Sequence, residues 1–161
     1  MKSGRIVFFL FSLVFAAAPL SAYEAITGPT GVLLYDRVGA YDGYTLFSPM
    51  GGKTVYLIDM EGYAVHSWKT DYAPGSYAVL LENGNLLRGG ILEGAPVPFG
   101  GAGGIVQEID WNGEVIWEYR LMTEDAVQHH TFDRMPNGNT LILAWERRSV
   151  DAFLEKGRDP K

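Results

Sequence analysis

From residue 54 onward, short apolar runs alternate with polar clusters built on Gly, Asn and Asp. The segment 55–68 reads Val-Tyr-Leu-Ile-Asp-Met-Glu-Gly-Tyr-Ala-Val-His-Ser-Trp. Two β-branched and aromatic runs flank an Asp-x-x-Gly turn, where glycine supplies the positive φ of a hairpin. Val55 and Leu57 point one way along such a strand and Tyr56 and Ile58 the other, so both faces are apolar. A strand of that kind belongs between two other layers. The segment 106–119, Val-Gln-Glu-Ile-Asp-Trp-Asn-Gly-Glu-Val-Ile-Trp-Glu-Tyr, repeats the phrase at a spacing of 51. Asp59 matches Asp110, Gly62 matches Gly113 and Trp68 matches Tyr119. A second hairpin repeats at a spacing of 54, Leu-Glu-Asn-Gly-Asn-Leu-Leu at 81–87 against Met-Pro-Asn-Gly-Asn-Thr-Leu at 135–141.

Two hairpins per period of about fifty residues predict four-stranded units, the pattern of β-propeller blades. The expected fold is all-β, with blade-like repeats over about 54–90 and 104–145. Trp68, Trp117 and Tyr119 are expected to fill the gaps between blades. The stretch 93–104 is Gly- and Pro-rich and reads as a long loop. Its Gly101-Ala-Gly-Gly is no phosphate loop, because a strand pattern follows where a helix is needed. Ser149 and Gly157 bracket a short helix over about 149–157, as N-cap and stop. Residues 23–161 hold between two and three such repeats, whereas a propeller has about four to eight blades. The domain is therefore expected to be the N-terminal part of a longer propeller, or a chain that completes its ring as a homo-oligomer.

The N-terminus follows a different pattern. Lys2 and Arg5 precede an unbroken apolar run over 6–18, then Pro19 and Leu-Ser-Ala. This is the order of a secretory signal peptide, with cleavage expected after Ala22. The run is shorter than the roughly 20 residues that span a bilayer, so no stable membrane span is expected after cleavage. Composition narrows the chemistry. The 161 residues are 47% apolar and carry a net charge of −6, which excludes general disorder and argues against nucleic acid as a partner. No cysteine is present, so disulfides, thiolate catalysis and cysteine-ligated zinc are ruled out.

Three histidines occur: His66, His129 and His130. The adjacent pair opens a strand, where neighbours are expected to point to opposite faces. One can face a central channel while the other packs, and the two cannot easily share a metal ion. A neutral imidazole is a nucleophile and acid–base group near pH 7. His66 stands where the second copy has Trp117, which marks a packing slot. Arg147 and Arg148 read as a solvated pair, Asp59 and Asp110 as turn formers, and Arg88 carries no evident role. No cofactor and no metal-ligand set is expected.

The segments 41–47 (Tyr-Asp-Gly-Tyr-Thr-Leu-Phe), 55–68 and 128–146 (Gln-His-His-Thr-Phe-Asp-Arg-Met-Pro-Asn-Gly-Asn-Thr-Leu-Ile-Leu-Ala-Trp-Glu) together resemble the opening of bacterial arylsulfotransferases. That resemblance implies a six-bladed propeller exported to the periplasm. It implies PAPS-independent transfer of a sulfuryl group from a phenolic sulfate ester to a phenolic acceptor, by ping-pong through a transiently sulfated histidine. The family's His-His pair matches His129 and His130, with His130 the favoured channel residue. Thr131 stands where the family has Asp. The resemblance places the sulfated histidine itself, with the other catalytic histidines and the arginine, in later blades beyond Lys161. The Asp-x-x-Gly phrase is also used by quinone-cofactor dehydrogenase propellers, and a non-catalytic binding propeller is a third reading.

Overall fold

The computed structural model describes residues 31–96 and 100–159. The signal-peptide reading of 1–22 lies outside them. Among the described residues no helix is long and apolar enough to cross a membrane.

Four turns of one design set the hairpins. In each, the first residue's N–H donates to the fifth residue's carbonyl: Asp59 to Tyr63, Leu81 to Asn85, Asp110 to Glu114 and Met135 to Asn139, all at 2.8–3.0 Å. The fourth residue is glycine, with φ of +88°, +84°, +92° and +85° at Gly62, Gly84, Gly113 and Gly138. This is a three-residue loop closed by a glycine bulge, not the two-residue turn that Asn-Gly most often signals. Side chains lock it. Asp110 Oδ1 accepts from the N–H groups of Asn112 (2.9 Å) and Glu114 (2.8 Å), and Asp59 Oδ1 does the same with Glu61 and Tyr63. The Glu114 N–H is the main reason the Asp110 carboxyl sits below its ordinary value. Asn83 and Asn137 each accept from the residue two ahead at 3.0 Å. The two Asp residues are turn formers, as expected.

The four turns join β2 to β9 in pairs, among nine strands in the described residues: β1 (Thr45–Phe47), β2 (Thr54–Ile58), β3 (Ala64–Lys69), β4 (Pro74–Leu80), β5 (Leu86–Ile91), β6 (Gly104–Ile109), β7 (Val115–Arg120), β8 (Ala126–Arg134) and β9 (Thr140–Glu146). One helix, α1 (Val150–Leu154), follows, capped by Ser149 Oγ accepting from Ala152 N–H at 3.3 Å. It is shorter than the 149–157 expected, although Gly157 does take the positive φ of a stop. The chain is all-β in character, and its sheets are antiparallel: β1-β2-β3, β4-β5-β6-β7 and β8-β9. None closes on itself.

This partition corrects the repeat boundaries. The units 54–90 and 104–145 each cut across two sheets, because β3 does not pair with β4, nor β7 with β8. The complete four-stranded sheet takes the Asn-Gly hairpin of one repeat and the Asp-x-x-Gly hairpin of the next. The physical reason lies in which strand edges meet. Among the described residues only the edges of β5 and β6 bring two hairpins together, with six registered pairs from Leu86↔Ile109 to Ile91↔Gly104.

The sheets are held by two apolar layers. Val55, Leu57 and Trp68 of the first sheet pack on Leu86 and Ile109 of the second. On the second sheet's other face, Leu87 and Val106 pack on Phe132 of the third, with Trp117 and Ile142 alongside. Trp68 is 1% exposed and its indole N–H donates to the Asp110 carbonyl at 2.9 Å, so it joins two sheets through both packing and a hydrogen bond. Tyr119, its counterpart, is 47% exposed and stacks on Trp117. It does not fill a gap, because among the described residues the sheet beyond its face has two strands, β8 and β9. Arg134 links the second and third sheets differently. It pairs with Glu108 at 2.7 Å, lies over the Trp117 ring, and donates to the Gly138 carbonyl at 3.1 Å. Buried Arg88 donates to the carbonyls of Tyr72 (3.0 Å) and Ala73 (3.2 Å) and to Gln107, tying down the approach to β4. Burial lowers its pKa to about 10.

Candidate functional site

Strand β8 is interrupted at its centre. Ala126, Val127 and Gln128 pair with Glu146, Trp145 and Ala144, and Phe132, Asp133 and Arg134 pair with Ile142, Leu141 and Thr140. Residues 129–131 therefore lie opposite Leu143 alone. Such a bulge re-aims side chains and breaks the alternation of a strand. His130 takes φ +34°, in the left-handed region that non-glycine residues rarely adopt.

The result overturns the expectation that His129 and His130 point to opposite faces. Their rings meet: His130 Nδ1 lies 2.8 Å from His129 Nε2, with ring centres 4.1 Å apart. At that distance one nitrogen carries the proton and the other supplies the lone pair. His129 also meets the Trp145 ring edge-on at 4.7 Å. Burial, and then the neighbouring His130, hold the His129 pKa below its ordinary value, which favours the neutral imidazole.

The glycine-rich segment explains how the pair is seated. His130 N–H donates to the Gly101 carbonyl (3.0 Å), Gly103 N–H to the Gln128 carbonyl (2.9 Å), and Ala102 bridges to His129. The expected loop over 93–104 is thus partly paired with β8. A Cβ on Gly101 would stand 2.0 Å from His130 Cε1, and one on Gly103 would stand 2.1 Å from Gln128 Oε1. The glycines leave room for the two side chains. Gln128 is fully buried, and its Oε1 accepts from Gly104 N–H at 3.0 Å. Sequence reasoning missed both Gly101 and Gln128 as parts of the site. The only signal was a run of glycines whose partners lie 25 and 29 residues away, Gly103 with Gln128 and Gly101 with His130.

Gly101 also borders a cleft of about 620 Å³ whose walls include Phe47, Met50, Tyr77 and Arg88. The other candidate residues lie elsewhere. Arg147 donates to the Pro96 carbonyl through its side chain, and Arg148 pairs with Glu146 at 2.6 Å on the surface. His66 stacks on Trp111 at 4.0 Å and meets Trp68 edge-on at 4.3 Å, the packing role expected of it. Thr131 is exposed. Among the described residues no three His, Asp or Glu side chains converge as a metal-ligand set.

What the arrangement offers chemically is a pair of coupled imidazoles, partly buried and joined by one proton. Such a pair accepts a first proton more readily than a second, because two imidazolium rings at this distance repel. Comparison with protein-family models, with curated proteins and with solved structures returns no match to the chain.

Proposed function

We propose that this chain carries the histidine pair of an exported, PAPS-independent arylsulfotransferase, its three sheets serving as propeller blades. The observation that supports this reading is the 2.8 Å contact between His130 Nδ1 and His129 Nε2. In the tautomer with the proton on His130 Nδ1, His130 Nε2 keeps a lone pair for nucleophilic attack, and the sulfated position falls to His130 in place of the later-blade histidine that the resemblance implies. The lowered pKa of His129 keeps its Nε2 available as the proton acceptor.

His130 Nε2 attacks the sulfur of a phenolic sulfate ester. The N–S bond forms, the S–O bond to the phenol breaks, and the phenolate leaves with the electron pair. The Nδ1 proton passes through His129 to the departing oxygen, which leaves a free phenol and an N-sulfonated imidazole whose ring is neutral and whose sulfo group keeps the single negative charge of the ester. An acceptor phenol, with a pKa of about 10, returns a proton by the same route as its oxygen attacks sulfur. The N–S bond breaks and both histidines are restored. Charge spreads over the sulfuryl oxygens during each step, so donors that hold those oxygens add to the rate.

The test uses the full-length protein that carries these residues, with ³⁵S-labelled 4-nitrophenyl sulfate. Label retained on the protein and discharged by added phenol is expected. His130→Ala abolishes labelling, and His129→Ala slows it by about 10²–10⁴-fold. Unchanged transfer in His130→Ala refutes the assignment.

A further inference from the structure

The interruption of β8 has a counterpart in β4. There Pro74 and Ala78 pair with Gly90 and Arg88, so residues 75–77 lie opposite Gly89 alone. Each of these positions stands 54 residues before its equivalent in the third sheet, 75–77 before 129–131 and Gly89 before Leu143. The backbone agrees. Ser76 has φ +71° and His130, its equivalent, φ +34°, and these are the two non-glycine residues with positive φ among the described residues. The same bulge is therefore built into both strands, and Ser76 holds in the second sheet the place that His130 holds in the third.

The two bulges are neighbours. Tyr77, in the first, meets Phe132 edge-on at 5.0 Å, and Phe132 directly follows the second. They differ in what they present. The β8 bulge opens with two histidines, whereas the β4 bulge opens with buried Gly75, where a Cβ would stand 2.9 Å from the backbone of Gly89 and Gly90. No ring fits there, so Ser76 and Tyr77 carry the side chains of this bulge. Ser76 is exposed, and packing does not require a side chain at its position. Glycine would take φ +71° without the cost that serine bears. Residues held in such a conformation cluster at active sites and ligand clamps. Ser76 lines the cleft of about 620 Å³ that also reaches Gly101, and the Gly101 carbonyl accepts the His130 N–H at 3.0 Å. Arg88 is the one charged residue among the described walls of that cleft, which favours an anion there over a cation.

We infer that Ser76 is a substrate-contacting residue of the site, its hydroxyl donating to a sulfuryl oxygen of the ester that His130 attacks. The inference rests on the sulfuryl-transfer reading and adds a donor to it. A sulfate ester spreads its charge over its terminal oxygens, and a hydroxyl turns to meet them. A hydrogen bond to a charged oxygen is roughly twice as strong as one between neutral groups. The bulge supplies the aim, because it takes Ser76 out of the alternation of β4 as its equivalent takes His130 out of that of β8. Phe47 and Tyr77, in the walls of the same cleft, offer apolar surface to the aryl ring. A donor and a nucleophile from neighbouring sheets are thus directed at one ligand.

The test uses the full-length protein that carries these residues. Ser76→Ala keeps the backbone strain and removes the hydroxyl. It is expected to lower kcat/KM for 4-nitrophenyl sulfate at least about tenfold, the weight of one hydrogen bond to a charged group. Calorimetry should show a similar loss of affinity for 4-nitrobenzenesulfonate, which offers the sulfur oxygens without a leaving phenol. Ser76→Gly is expected to lose as much activity while unfolding at a higher urea concentration than Ser76→Ala, since glycine adopts φ +71° freely. That order separates loss of the hydroxyl from damage to the fold. Activity restored by glycine in place of alanine overturns the inference, because the hydroxyl is then dispensable. His130→Ala, measured alongside, distinguishes the two failures. Transfer abolished in His130→Ala but undiminished in both Ser76 variants overturns the role of Ser76 and leaves the sulfuryl-transfer reading standing. Transfer undiminished in His130→Ala overturns that reading, and the role of Ser76 with it.

Discussion

Gly101→Ala tests how the histidine pair is seated. The new Cβ would stand 2.0 Å from His130 Cε1, 2.4 Å from Nε2 and 2.5 Å from Nδ1. Carbon atoms in contact need about 3.5–4.0 Å, so the ring must retreat by about 1.5 Å or more. Moving away from His129 by that amount stretches the 2.8 Å contact beyond any hydrogen bond. A separate backbone cost arises because Gly101 has φ +82°, a region that costs a non-glycine residue about 1–2 kcal/mol. Gly94→Ala isolates that cost, because Gly94 has φ +83° with nothing within 4 Å of the added carbon. Urea unfolding of the two variants should place Gly101→Ala below Gly94→Ala by about 0.5–1.5 kcal/mol, the net worth of one hydrogen bond. Proton NMR titration of the histidine rings reads the site directly. In Gly101→Ala the His129 pKa moves part of the way back up, since His130 no longer faces it while burial persists. Equal stability losses in both variants, with an unmoved His129 titration, refute the seating argument.

Two further outcomes follow from the same structure. Trp68→Ala removes a side chain that is 1% exposed, together with its bond to the Asp110 carbonyl, and should cost about 3–5 kcal/mol by urea unfolding. A loss under 1 kcal/mol would show that the first two sheets are held by other contacts. Stability should also fall as pH drops below the ordinary histidine value of 6.5. Folded His129 has the lower pKa, so the unfolded chain takes the proton first, and the loss levels off once folded His129 also protonates. His129→Gln should flatten the profile in that window, and an unchanged slope refutes the link. The Asp110 contribution, of the depressed-carboxylate kind, is lost only at lower pH, below its ordinary 3.8, so it does not overlap.

Hairpins were legible in the residues because their causes are local. The Asp at 59 and 110, the Asn at 83 and 137 and the glycines that follow them close each turn within five residues. The packing role of His66 was legible for a related reason, since its counterpart in the repeat is a tryptophan. The grouping of hairpins into sheets was not legible. A strand offers two edges of identical backbone chemistry, and which edge is filled depends on how the connectors and apolar layers bring hairpins together. The repeat therefore reported the right strands and the wrong boundaries between sheets. The same distinction governs the site. Two adjacent histidines were visible along the chain, and alternation sent them to opposite faces. Only the bulge opposite Leu143, and the room left over Gly101, turn the two rings toward each other. Both depend on residues far apart in sequence meeting in space, which local patterning does not encode.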